Sequence, residues 1–338
     1  MNVTSSDPAP DRPGQPASPV AEHGRSHEGL AAGGGIGRRP RLSRQDLRHG
    51  VKVASGLPWI LPALVVCVGL IYYCIGYTGY ISTLNWDGIS PNPQHVGFGN
   101  YTALFHDTLF WGALEHTGIF FVGTFVAQTV LGMVFAVLLH SKVKFGVVYK
   151  IVVFTPVVLA PAIMAPVFRV MLAPPGQLDQ IFRDLDLHFL VQAWIGQTST
   201  ALLSVMMITV WEWTGFTFVL YYAAMSQIDE SMIEAARLDG AGNIRILTRI
   251  IWPSVAGTTV ALGTLSAIGA LKTFDIPWLI NQAGPDYATN FLGTYIYQMV
   301  IQVDRVGYAA ALSIVLLVVA VILGVILNAG WRRRKVMD

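Results

Sequence analysis

Residues 306–330 read VGYAAALSIVLLVVAVILGVILNAG, a run without one Asp, Glu, Lys, Arg or His. A helix rises about 1.5 Å per residue and a bilayer's hydrocarbon is about 30 Å thick, so about 20 such residues cross it. Arg305 stands before this run, and Arg332, Arg333, Arg334 and Lys335 follow it. Working outward, five further apolar stretches of the same kind lie at roughly 57–81, 113–139, 147–171, 200–225 and 253–280. Hydrophobic residues make up 53% of the chain and charged ones 12%. A soluble domain carries about 25% charged residues, so the 42 charges here are too few to cover a water-facing surface. The expectation is an all-α integral membrane protein of six transmembrane helices.

The cations set its direction. Eighteen of the 22 Lys and Arg fall before span one, between spans two and three or in the first turn of three (Lys150), between four and five, and after six. The stretch from Ser82 to Gly112 has none. Lys and Arg concentrate in cytoplasmic loops, which places both termini in the cytoplasm. Residues 1–50 hold six Pro, eight Gly and no aromatic side chain. Such a segment buries too little apolar surface to offset its chain entropy, so residues 1–56 read as a disordered tail and 336–338 as a short C-terminal end. The first apolar run starts near Leu57 and is too long for the core of a signal peptide. The net charge of +2 lies between the apolar runs and gives no face for nucleic acid. Cys67 and Cys74, seven apart in one span, read as small apolar packers rather than a disulfide or metal pair.

Familiar chemistry is missing. The Gly33 to Gly37 cluster lacks the lysine of a phosphate-binding loop, and no His-Glu-x-x-His or Gly-x-Ser-x-Gly occurs. His23 and His27 lie in the tail, where a metal site is not expected. No internal repeat is visible. Between spans, Trp86-Asp87-Gly88 and Phe98-Gly99-Asn100-Tyr101 combine turn formers with interfacial aromatics. The segment from Ala173 to Thr198 is too polar to span and reads as short external helices.

The loop over 226–252 carries the strongest signal. It runs Ser226-Gln-Ile-Asp-Glu-Ser-Met-Ile-Glu234-Ala235-Ala236-Arg237-Leu238-Asp239-Gly240-Ala241-Gly242, then Ile250-Ile-Trp-Pro253. Ser226 or Asp229 can cap a short helix whose positive N-terminus Asp229 and Glu230 favour. Gly240 supplies the left-handed residue that ends it. Met232, Ile233 and Ala236 form one apolar stripe, while Ala235 and Ala236 let another backbone come close. A second helix is expected from Asn243 into span five, with Pro253 at the membrane boundary.

Glu234-Ala235-Ala236, Asp239-Gly240-Ala241, Ile250 and Pro253 together resemble the EAA loop of ABC importer permeases, in the form of the carbohydrate-uptake branch. Trp211 with Gly215-Phe216, Phe274-Asp275, Gly284-Pro285, Thr289, Tyr295-Ile296-Tyr297 and Gly307-Tyr308-Ala309-Ala310-Ala311-Leu312 fall in that family's order, as do Phe98-Gly99-Asn100-Tyr101 and Thr117. The chain departs at Asn281-Gln282-Ala283-Gly284-Pro285, where a Thr and a Gly-Gly-Pro are common. The likeness spans roughly residues 57–335.

The resemblance implies a type I ABC importer permease fold with a cytoplasmic EAA coupling helix. It implies a heterodimer with a second permease, this chain being most like the maltose-transporter F subunit. Two cytoplasmic ATPase subunits would carry ATP and Mg, leaving no cofactor in this chain, and an extracytoplasmic binding protein would deliver a sugar. Glu234, Ala235, Ala236, Asp239, Gly240, Ala241 and Pro253 would then couple to the ATPase.

The candidate substrate path is Trp211, Glu212, Trp213, Phe216, Phe274 and Asp275, because carboxylates beside aromatic faces suit hydroxyl-rich ligands. Intramembrane ionisable groups also mark proton relays, so Glu212, Lys272 and Asp275 admit a secondary transporter driven by an ion gradient. Lys272 lies 19 residues beyond Pro253, about 28 Å along a continuous helix. That reads as an anchor snorkelling outward and paired with Asp275 on one helix face. Thr259, Gly263 and Ala267, at four-residue steps, read as a packing face.

Overall fold

The computed structural model describes residues 44–140 and 144–335. The chain divides into two units, residues 1–62 and 63–338. In the first, the described part is the beginning of helix α1 (Arg44–Ile81). That helix starts inside the stretch assigned to the tail. The disorder expected for residues 1–43, and the C-terminal end at 336–338, lie outside the described residues.

In the second unit, after α1, β1 (Leu84–Asn85) and β2 (Gln94–His95) form a two-residue antiparallel ribbon pairing Leu84 with His95. Then come α2 (Gly99–Phe105), α3 (Thr108–His140), α4 (Gly146–Phe154), α5 (Pro161–Leu172), α6 (Gln177–Asp184) and α7 (Thr198–Met225). The chain continues through α8 (Glu230–Leu238), α9 (Asn243–Ile246), α10 (Trp252–Ser254), α11 (Ala256–Leu271), α12 (Asp275–Asn281), α13 (Leu292–Ile301) and α14 (Val306–Lys335).

Among the described residues, four helices are long and apolar enough to cross a membrane: Ile60–Ile81, Thr108–His140, Thr198–Met225 and Val306–Leu327. Two bent pairs raise the number to six, each pair being one span. Both bends depart from the straight spans expected at 147–171 and 253–280.

In the first pair, Gly146–Val158 and Pro161–Leu172 meet at 95°. Pro161 forces Ala160 out of the helical region (ψ 135°) and restarts the helix from its first turn, where a missing N–H costs nothing. In the second pair, Asn243–Ser254 and Ala256–Leu271 meet at 67°. Pro253 has no N–H for the carbonyl four residues back, and the preceding Leu247–Ile251 turn is already widened to a π-helix.

Span five also ends early. Its helix stops at Leu271 and α12 starts afresh at Asp275, with Pro277 in that new first turn. A proline in a helix interior ends the helix, which would put the break at Pro277. In a first turn it is tolerated, so the actual break lies before it.

α3 and α7 form the centre of the bundle. One buried cluster joins Phe120, Val205, Ile208, Ile276 and Phe291. A second joins Met133, Phe218, Tyr221, Ile246 and Leu262, and a third Leu104, Phe110, Leu292, Tyr295 and Leu312. Gly215 lets α7 touch α4: a Cβ there would lie 2.3 Å from the Val153 carbonyl oxygen and 2.9 Å from Phe154 Cα. The small face of α11 is used for packing, with Thr259 accepting a hydrogen bond from the Tyr221 hydroxyl (3.0 Å) and Gly263 under the Phe125 ring. Cys67 and Cys74 are both free and exposed.

Candidate functional site

The loop after α7 is built from local bonds. Asp229 caps α8 by accepting the Ser231 N–H at 2.9 Å, and that bond holds its carboxyl below the usual carboxylate range. Ser226, the other candidate cap, instead donates to the Tyr222 carbonyl of the helix before. At the far end Gly240 takes φ +78°. Its N–H donates to the Arg237 carbonyl and the Ala241 N–H reaches back to Ala236 (2.9 Å), the paired bonds that close a helix on a left-handed residue.

This places α8 with two unlike faces. Ile233 and Ala236, together with Ile228 and Ala241, pack on the Met133–Phe218–Tyr221 cluster. Met232, expected on the same stripe, is instead 52% exposed. Glu234, Ala235, Leu238 and Asp239 are exposed. Leu238 is 89% exposed and Ile244, at the start of α9, 80%. Leu238 and Ile244 thus leave apolar surface open beside Ala235. Pro253 lies apart from that face, at the 67° bend.

A cavity of about 510 Å³ opens between α3, α7 and α11. Glu212, Trp213 and Phe216 reach it from α7, and Phe274 and Asp275 from the start of α12. Five of the six candidate path residues therefore meet at one space, though they come from elements about sixty residues apart in the chain. Glu212 is 2% exposed, and its Oε2 is buried without a hydrogen-bond partner. Phe274 stacks on Trp278, and both rings lean on Tyr297.

Trp211 is the exception. One step round the helix, it sits edge-on to Phe168 (5.2 Å between centroids) and borders a separate apolar groove with Met164 and Trp194. Lys272 also needs correction. It borders the cavity with Glu212 and Asp275. The helix break at 272–274 puts it on a different element from Asp275, so the continuous helix that made it a remote, paired anchor does not exist.

The bonds of two polar side chains had no signal in the sequence. Asp107 caps α3 through Leu109 N–H (2.9 Å) and accepts hydrogen bonds from the hydroxyls of Tyr295 and Tyr308. Burial pushes this carboxyl up, but the two tyrosines outweigh it and hold the group below its ordinary range. Its partners lie 188 and 201 residues away, beyond any spacing rule. Asn100, within the Phe98–Tyr101 motif, donates to the carbonyls of Ser82 and Leu84, both at 2.8 Å, and so ties the ribbon to α2.

Residues 128–335 match the family described as binding-protein-dependent transport system inner membrane component. The chain belongs to this family. It is 31% identical to the probable ABC transporter permease protein YurN of Bacillus subtilis (strain 168), over 78% of this chain and 91% of that one. It is 28% identical to the diacetylchitobiose uptake system permease protein NgcF of Streptomyces coelicolor, over 90% and 88% respectively. Its fold is similar to a chain of the bacterial alginate ABC transporter in complex with alginate pentasaccharide-bound periplasmic protein. That likeness has a TM-score of 0.73 at 20% identity and covers 86% of this chain and 96% of the other.

The chain is thus a multi-pass membrane permease subunit of an ABC importer that works with a binding protein, and ATP hydrolysis belongs to a separate chain. The secondary-transporter reading gains no support.

Proposed function

We propose that this chain forms half of the translocation path of a sugar or oligosaccharide importer. It pairs as a heterodimer with a second permease and is driven by two cytoplasmic ATPase subunits that hold the ATP and Mg. An extracytoplasmic binding protein feeds it in a bacterial plasma membrane, with both termini in the cytoplasm. α1, whose window across the hydrocarbon is wholly exposed within the chain, meets lipid or the partner permease. The printed roles of its relatives favour saccharides: diacetylchitobiose, arabinooligosaccharides and lactose.

The observation that carries the coupling role is the α8 face. Glu234, Ala235, Asp239 and Leu238 stand exposed on a helix anchored by Ile233 and Ala236, with Gly240 and Ala241 fixing its end. Such a helix transmits force, because its inner face is packed into the bundle while its outer face stays free for the ATPase. Glu212, Trp213, Phe216, Phe274 and Asp275 line the path.

The test is reconstitution of the importer in liposomes with a labelled oligosaccharide panel. Uptake should require ATP and persist when ionophores collapse proton and sodium gradients. A cysteine at Ala235 should cross-link to the ATPase subunit. Gradient-dependent, ATP-independent uptake would sink the proposal.

A further inference from the structure

The cavity bordered by Glu212 has an unequal stock of hydrogen-bonding groups. The Thr124 hydroxyl donates to the Phe120 carbonyl (2.6 Å), that of Thr209 to Val205 (3.0 Å) and that of Thr273 to Gly269 (3.0 Å). The Gln128 amide nitrogen donates to the Thr209 carbonyl at 3.2 Å. These donors are committed within the protein. The hydroxyls of Ser266 and Thr217 are bound to no protein acceptor by these distances, the Trp213 N–H is turned to the Glu212 side chain, and Lys272 is the one cation among the bordering residues.

Acceptors stand on the other side: the Gln128 carbonyl oxygen, the Asp275 carboxylate, and above all Glu212. Its side chain is buried, and Oε2 faces no donor from the protein. A buried acceptor without a partner is costly, and a ligand that donates to it recovers that cost. A second acid at the same space, Asp275, acts electrostatically on Glu212. Two acidic side chains stand here against one ammonium, so the walls hold more acids than bases. Trp213, Phe216 and Phe274 supply flat apolar faces for the C–H side of a sugar ring.

Resting on the saccharide-importer reading above, we propose that this cavity selects donor-rich saccharides, neutral or bearing an amino group, and excludes saccharides that carry a carboxylate. The contact atoms on the protein are Glu212 Oε2 and the Asp275 carboxylate. An ammonium or hydroxyl of the ligand completes the first, whereas a uronate brings only acceptor oxygens to Oε2 and like charge to Asp275.

The test uses the assembled importer, both permeases with their ATPases, and three disaccharides of matched size: cellobiose, the glucosamine dimer of chitosan, and cellobiouronic acid. Equilibrium dialysis should rank the glucosamine dimer tightest and the uronic acid at least about tenfold weaker than cellobiose, the factor carried by one charged hydrogen bond. Glu212→Gln should weaken the glucosamine dimer by about tenfold while leaving the uronic acid no weaker. Asp275→Asn, at an exposed position, should shift the same ratio in the same direction with an unchanged melting temperature.

A uronic acid bound as tightly as cellobiose would overturn the proposal. So would Glu212→Gln weakening all three equally, since that is the mark of a structural role. Absence of binding by all three in an importer that still takes up saccharide with ATP would remove this site and leave the importer reading intact. A wild-type importer that takes up no saccharide at all would remove that reading, and this proposal with it.

Discussion

Two glycines mark the difference between the loop around α8 and the helices around the cavity. Gly240 is there for its backbone: φ is +78° and a Cβ would meet nothing within 4 Å. Gly215 is there for space: a Cβ would sit 2.3 Å from a backbone oxygen of a neighbouring helix. The loop is specified by bonds a few residues long and leaves an open surface. The cavity wall is specified by the close approach of distant segments. A motion that passes from one to the other must start on a part that tolerates change and end on a part that does not.

The largest effect is expected where backbone meets backbone. Gly215→Val has no flexible side chain opposite to yield, so α7 and α4 must separate. Overpacking of this kind costs about 3 kcal/mol or more. The variant should be recovered in low yield and aggregated by size-exclusion chromatography. A monodisperse Gly215→Val protein with an unchanged melting temperature would show that the α4–α7 contact is looser than drawn.

Gly240→Val sharpens the contrast, because the loss should be in activity rather than in folding. A β-branched residue in the left-handed region costs about 1–2 kcal/mol, confined to the end of α8. Uptake should fall at least about tenfold while insertion, assembly and the melting temperature of the bundle stay near wild type. Full transport at normal expression would break the link between the turn and coupling.

The loop was legible because its determinants are local. The cap residue, the small face and the terminating glycine all lie between Asp229 and Ala241, and helix rules act over that range. The cavity was legible only in part. Glu212, Trp213 and Phe216 share a helix and Phe274 and Asp275 a motif, so their residue types showed through. That Trp211 turns away follows from packing on Phe168, which no spacing announces. Lys272 was misplaced for a related reason: a helix was extrapolated through a break that depends on where α12 begins. The bends at Ala160 and Val255 were signalled by Pro161 and Pro253, but hydropathy alone joins such halves into one span.

Asp107 tests the tertiary side more gently. Its carboxylate joins the start of α3 to α13 and α14 through Tyr295 and Tyr308. Asp107→Asn removes the charge from both bonds and should lower stability by about 1–3 kcal/mol. Because the folded carboxyl lies below its ordinary value of 3.8, the charged form is the one that stabilises. Its contribution is full above that ordinary value and is lost as pH falls through the lower folded value. Melting followed by intrinsic fluorescence, from pH 7 down to well below 3.8, should show wild type approaching Asp107→Asn as the carboxyl protonates. Parallel curves that never converge would mean that the carboxylate is not what the tyrosines hold.

The smallest effect should come from exchanging the logic of the two regions at a helix end. α12 closes as α8 does, on a left-handed residue, but here that residue is Gln282 with φ +52° and ψ +48°. Gln282 is exposed, and its N–H donates to the Trp278 carbonyl at 3.1 Å, a bond that glycine keeps. Gln282→Gly relieves the left-handed penalty of about 1–2 kcal/mol. It also returns conformational freedom to the unfolded chain, which offsets about 0.4–1 kcal/mol of that gain. The net is a stabilisation of about 0.5–1 kcal/mol, or roughly 1 °C in melting temperature for a chain of this size. Uptake should not change, since the side chain borders neither the cavity nor α8. A lower melting temperature for Gln282→Gly would show that the Gln282 side chain holds this turn, and that the two helix ends are alike only in backbone angle.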